Sequence, residues 1–72
     1  MNLTAVFVQD GEWIAAWIVE IPGVNTQGAT MEEARANLRD ALALVLEVRR
    51  EESERELIGR TVQREVLEIP EP

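Results

Sequence analysis

The chain has no cysteine and no histidine. No disulfide can staple it, and no thiolate or imidazole can hold a metal ion. The same two absences remove the usual general base and the thiol nucleophile, and Ser53, the one serine, sits in a charged stretch, so Ser-His-Asp or Cys-His catalysis is not expected. Lysine is absent too, and all seven basic residues are arginines against 14 acidic ones, a net charge of −7. Such a surface fits genomic codon bias or adaptation to heat without a special role for arginine. With a pI near 4.4 it opposes binding to a phosphate backbone, which requires cations to displace counterions. No apolar run approaches the ~20 residues that span a bilayer. No basic segment precedes a hydrophobic one at the start, so no signal peptide is expected and the chain is read as cytoplasmic.

What is present is 72 residues of which 46% are hydrophobic, ordinary for a globular domain and too many for a disordered one. Residues 1–72 make one domain near the lower size limit for folding on a private core. Apolar burial set against about 1.5 kcal/mol of ordering entropy per residue comes out near zero at this length. Some apolar surface is therefore expected between subunits, in a homo-oligomer that is a dimer or a tetramer.

Two segments, LTAVFVQ and EWIAAWIVEI, are rich in strand-forming residues, and Asp10-Gly11 between them suits a two-residue type I′ hairpin turn. Pairing across that turn sets Val8 opposite Trp13, Val6 opposite Ala15 and Thr4 opposite Trp17. Leu3, Ala5 and Phe7 then share the other face with Ile14, Ala16 and Ile18. Both faces are apolar, whereas a sheet with one wet face alternates apolar and polar residues. One long helix can cover only one face. The other is expected to meet a partner or a second copy, with Val6, Val8, Trp13, Ala15 and Trp17 as its interface residues, because Trp is enriched at binding hot spots. Plain core packing is the competing account of the tryptophans.

Pro22-Gly23 ends the second strand. Residues 24–27 can form a short third strand, stopped by Gly28, and the polar Asn25, Thr26 and Gln27 can offer an edge for strand addition. Thr30 with Glu33 fits a capping box, and Glu32 and Glu33 suit the positive end of the helix dipole. Ala34, Leu38, Ala41, Leu42, Val45 and Val48 form one apolar stripe at helical spacing. RREESERE continues as a solvated helical extension in which Glu51 and Arg55 are spaced to pair, and Gly59 is a natural stop. Residues 61–69 (TVQREVLEI) read as a last strand closed by Pro70. The expected class is α+β, in the order β-β-β-α-β, an antiparallel sheet with one long helix packed on one face.

The DG hairpin, the apolar strand and the run IPGVNTQGATMEEARANLRDAL together resemble the N-terminal domain of HicB-like antitoxins. Ile21, Pro22 and Gly23 match that family's turn, Gly28 and Thr30 its Gly-x-Thr step, and Glu32, Glu33 and Ala34 its helix opening. The resemblance spans roughly residues 7–46. It implies a β-β-β-α-β fold described as a degraded RNase H-like half, and a role in neutralising a small mRNA-interferase toxin by covering its active surface. Full-length members usually add a C-terminal DNA-binding module. After Glu56 too few residues remain here for such a unit, so the chain is expected to be a stand-alone member without direct DNA binding, as its acidity also suggests. Trp17 departs from the family pattern, which more often has a charged residue at that place.

An RNase H-like fold raises the question of metal-dependent hydrolysis, which needs carboxylates clustered around ions about 4 Å apart. Asp10 and Glu12 flank a turn, Glu20 lies near a strand end and Asp40 falls off the helix stripe, so no pair is plainly placed to share an ion. The chain is read as a non-enzyme without cofactor. Base stacking by the tryptophans would want a basic groove, and none is visible. The favoured function is a non-catalytic interaction module that oligomerises through its sheet and neutralises a basic RNA-cleaving toxin, to which an acidic inhibitor is steered electrostatically. The charge also fits solubility alone. The alternative is an orphan oligomeric domain, structural or binding a small ligand, with no toxin partner.

Overall fold

The computed structural model describes residues 2–70; Met1, Glu71 and Pro72 lie outside them. Strands β1 (Ala5–Asp10), β2 (Trp13–Ile18) and β3 (Asn25–Gly28) form an antiparallel sheet in that order, and helix α1 (Met31–Glu56) comes after them. The architecture is α+β, as the hydrophobic periodicities require.

The hairpin differs from expectation in register. Trp13 pairs with Asp10, Ala15 with Val8 and Trp17 with Val6. The turn is Gly11-Glu12, with Gly11 at φ +61° and no positive φ at Glu12. That pattern belongs to a type II′ turn, which needs glycine only at its first central position, whereas the expected type I′ turn would have forced Asp10 into the left-handed region. The slip is two residues, one full side-chain period, so both faces keep their membership.

The helix covers the face carrying Phe7, Ile14, Ala16 and Ile18. The buried core is Ile14, Ala16, Ile18, Val24, Ala34 and Leu38, with Leu3, Phe7, Ile21, Ala41, Leu42 and Val45 packed around it. Thr30 caps the start of the helix as expected, but the reciprocal bond of a capping box falls one residue earlier, on the Ala29 amide instead of that of Thr30. The Thr30 hydroxyl accepts from the Glu33 amide at 3.1 Å, and the Glu33 carboxylate accepts from the Ala29 amide at 3.1 Å. A cap of this kind is worth about 1 kcal/mol.

At 26 residues the helix is about 39 Å long, while six-residue strands reach about 20 Å. Its C-terminal part therefore runs past the sheet, and Val48, the last residue of the expected stripe, is 43% exposed. Near the start of this overhang Arg49 donates to the Pro22 carbonyl at 3.0 Å. Beyond it Glu51 and Arg55 approach to 3.8 Å in an exposed pair worth a few tenths of a kcal/mol. Gly59, at φ +80°, lies just past the helix end.

The expected fourth strand is absent from the described residues. Residues 61–70 pair with no neighbour and are exposed throughout. A strand exists only as part of a ladder, and here the segment leaves the overhanging helix end instead of running beside a sheet edge. Arg64 instead forks onto Glu54, its two nitrogens 2.8 and 2.7 Å from the carboxylate oxygens. That arrangement lowers the Glu54 pKa and raises that of Arg64, chiefly through their hydrogen bonds.

Candidate functional site

The sheet face opposite the helix is uncovered. Val6 and Val8 of β1 stand beside Ala15 and Trp17 of β2, with Trp13 at the hairpin end. Trp13 is 49% exposed, Trp17 38% and Val8 43%. Beyond Trp17 and Ala15 the register places Asn25 and Gln27 of β3, so an apolar patch runs into a polar border along one edge. All five sequence-expected interface residues are thus brought together on one plane. The helix packs on the other face, and neither tryptophan belongs to the core cluster beneath it. The two tryptophans are the larger part of the patch, and their rings carry the most apolar area a side chain can offer to a partner.

The joint that carries the family-like motif is architectural. The Val24 amide donates to the Ile21 carbonyl at 3.4 Å around Pro22 and Gly23, and Gly23 takes φ +90°. Proline at the second position and a positive φ at the third define a type II turn. Val24 is then drawn inward to 1% exposure, and its carbonyl accepts from the Ile18 amide at 3.1 Å. Gly28 and Ala34, from the Gly-x-Thr step and the helix opening, meet where the strand crosses the first helical turn. Thr30 and Glu33 cap the helix, and Glu32 lies exposed in its first turn.

The carboxylates do not converge. Among the described residues no three His, Cys, Asp or Glu side chains gather closely enough to hold a metal ion. Asp10 and Glu12 sit at the hairpin end and Asp40 on the exposed side of the helix. Glu20 has a structural task that sequence reasoning missed. The amide and hydroxyl of Thr4 donate to its two carboxylate oxygens, each at 2.7 Å, clamping the open end of the hairpin. The Thr4 amide first, then its hydroxyl, hold the Glu20 pKa below the usual glutamate value. Thr4 and Glu20 lie just outside β1 and β2, and the signal that could have found the pair is a short donor facing a carboxylate across the strand ends. No helix of the described residues is long and apolar enough to cross a membrane.

A second feature lies on the helix side of β1. Phe7, Ile18, Leu38 and Leu42 line an open groove of about 260 Å³, with Arg35 and Arg39 beside it. The Arg35 guanidinium stands 5.6 Å from the Phe7 ring centre, within cation–π range.

No family model matches the chain, and no solved structure matches it. It is similar to a UPF0150 protein of Synechocystis sp., with 38% identity over 70 residues that cover 92% of this chain and 93% of the relative. It is also similar to a UPF0150 protein of Thermotoga maritima, with 41% identity over 46 residues, 61% of each chain. The first alignment takes in nearly the whole of both chains, at a level of identity that shared folds alone do not produce. The chain belongs to the UPF0150 family.

Proposed function

We propose that this protein is a non-catalytic interaction module that self-associates through the open sheet face and neutralises a small, basic, RNA-cleaving toxin by masking its surface. The observation that carries the reading is the apolar plane of Val6, Val8, Trp13, Ala15 and Trp17, on which Val8 and both tryptophans stand exposed, on a chain of net charge −7. Large exposed aromatic planes on small proteins mark interaction sites. The acidic remainder of the surface supplies long-range attraction to a cationic partner and repels nucleic acid. The HicB-like spacing of Ile21, Pro22, Gly23, Gly28, Thr30, Glu32, Glu33 and Ala34 supports the toxin as the partner class. A cytoplasmic location goes with it, since the RNA target is there.

Co-expression of the tagged chain with the product of the adjacent gene tests the proposal. The expected result is a stable complex with a small basic protein, suppression of that protein's RNA cleavage, and an association rate that falls as salt rises. A neighbour that neither binds nor cleaves RNA contradicts the toxin assignment.

A further inference from the structure

The two edges of the sheet are unequal. β3 is four residues long, and the Gln27 carbonyl takes a hydrogen bond from the Asn37 side chain of the helix at 2.9 Å. β1 is six residues long and has β2 as its one neighbour among the described residues, and the apolar groove of Phe7, Ile18, Leu38 and Leu42 opens beside it. An edge of this kind is a template for a further strand. The same molecule carries a segment of strand composition with no ladder. In residues 61–69, Val66 is 96% exposed, Leu67 82% and Ile69 63%. Alternation puts Glu65, Leu67 and Ile69 on one side and Val62, Arg64 and Val66 on the other.

We propose that the β1 edge accepts residues 61–69 from a second copy of this chain as a fourth strand. Leu67 and Ile69 fill the groove against Leu38 and Leu42. Glu65, on the same side, meets Arg35 and Arg39 at the groove's rim. Val62 and Val66 extend the apolar plane beside Val6 and Val8. Main-chain hydrogen bonds supply affinity in strand addition, and the alternate side chains supply register.

The shape of the molecule points to a second copy as the donor. Its radius of gyration is 15.9 Å, against about 11 Å for a compact chain of this length. The excess comes from the helix overhang and the segment after it. Arg64 holds that segment against Glu54 on the overhang, beyond the Arg49–Pro22 contact. Reciprocal exchange between two such molecules forms a closed two-fold dimer in which both edges and both segments are satisfied.

Because the chain has no cysteine, introduced thiols report specifically. The full-length Val8→Cys and Val66→Cys variants are purified separately, mixed and oxidised. The expected product is a covalent species of twice the 8.1 kDa chain mass, abundant in the mixture and minor in either variant alone. Adding Leu67→Asp, at a position exposed in the single chain, abolishes that product while helical circular dichroism is retained. Adding Trp17→Glu leaves it intact, which separates strand exchange from association through the sheet face. A mixture no more cross-linked than its components overturns the proposal. So does an intrachain disulfide as the main product of the Val8→Cys/Val66→Cys double variant in dilute solution, or loss of the cross-link on Trp17→Glu.

Discussion

Gly28 and Ala34 touch where the third strand passes under the first turn of the helix. A Cβ built on Gly28 would stand 2.8 Å from the Ala34 Cα, closer still to its amide nitrogen, and 2.9 Å from the Glu33 carbonyl carbon. These are backbone atoms of a capped helix, which cannot swing aside as a side-chain tip would. Gly28→Ala is therefore expected to destabilise the fold by at least the about 1–3 kcal/mol typical of overpacking, with the loss visible as a lowered thermal midpoint. Gly28 does not take a positive φ, so the cost arises from space and not from backbone conformation. An unchanged midpoint would mean the helix does not sit this close to β3.

The helix stripe divides at the end of the sheet. Leu38 is 4% exposed within the core, and Leu38→Ala is expected to cost about 2–5 kcal/mol in chemical denaturation. Val48, on the same stripe but in the overhang, is expected to tolerate alanine within about 0.5 kcal/mol. Equal effects at both positions would place the overhang against a further surface.

Acid should loosen the hairpin's open end. Glu20 accepts from the Thr4 amide and hydroxyl, and these bonds hold its folded-state pKa below its unfolded value. A lowered folded pKa means stability that is complete above the unfolded value, near the usual 4.5, and lost as pH falls through the folded one. Glu20→Gln is expected to lower the thermal midpoint at neutral pH, with the gap to wild type closing below about pH 4.5. A gap that persisted unchanged into acid would mean that the charge of Glu20 contributes nothing. The carboxylate is solvent-exposed, so the effect is a modest shift.

Local signals proved the most readable. Thr30 with Glu33, and Pro22 with Gly23, carry their structure within four-residue windows, and the helix cap and type II turn arise from hydrogen bonds that close inside those windows. Membership of the two sheet faces was equally legible because side-chain alternation survives the two-residue change of register. The register itself was not, since Asp10-Gly11 and Gly11-Glu12 both make good hairpin turns and only the packed sheet chooses between them. Val24 is the largest fully buried side chain among the described residues, yet its burial depends on how the Pro22-Gly23 turn rotates the chain, which no periodicity encodes. Residues 61–69 have strand composition without a strand, because a ladder needs an edge and local sequence cannot say where one lies. For the candidate site, the five interface residues could be grouped from alternation alone, while the Thr4–Glu20 clamp depends on contact across 16 positions in the chain.

Both tryptophans lie on the open face, so their fluorescence reports on whatever covers it. The emission maximum is expected to move to shorter wavelength as protein concentration rises, since association removes water from the indole rings. No movement across a dilution series would indicate that the rings stay solvated.

Sedimentation equilibrium of the wild-type chain and Trp17→Glu at matched concentrations shows whether the open sheet face joins copies of the chain. Trp17 is 38% exposed in the single chain, so a carboxylate there leaves the fold intact but places a charge in the middle of the apolar plane. The wild type is expected to sediment as an oligomer and Trp17→Glu as a smaller species with the same circular dichroism. A monomeric wild type, or identical masses for the two proteins, would contradict association through the open sheet face.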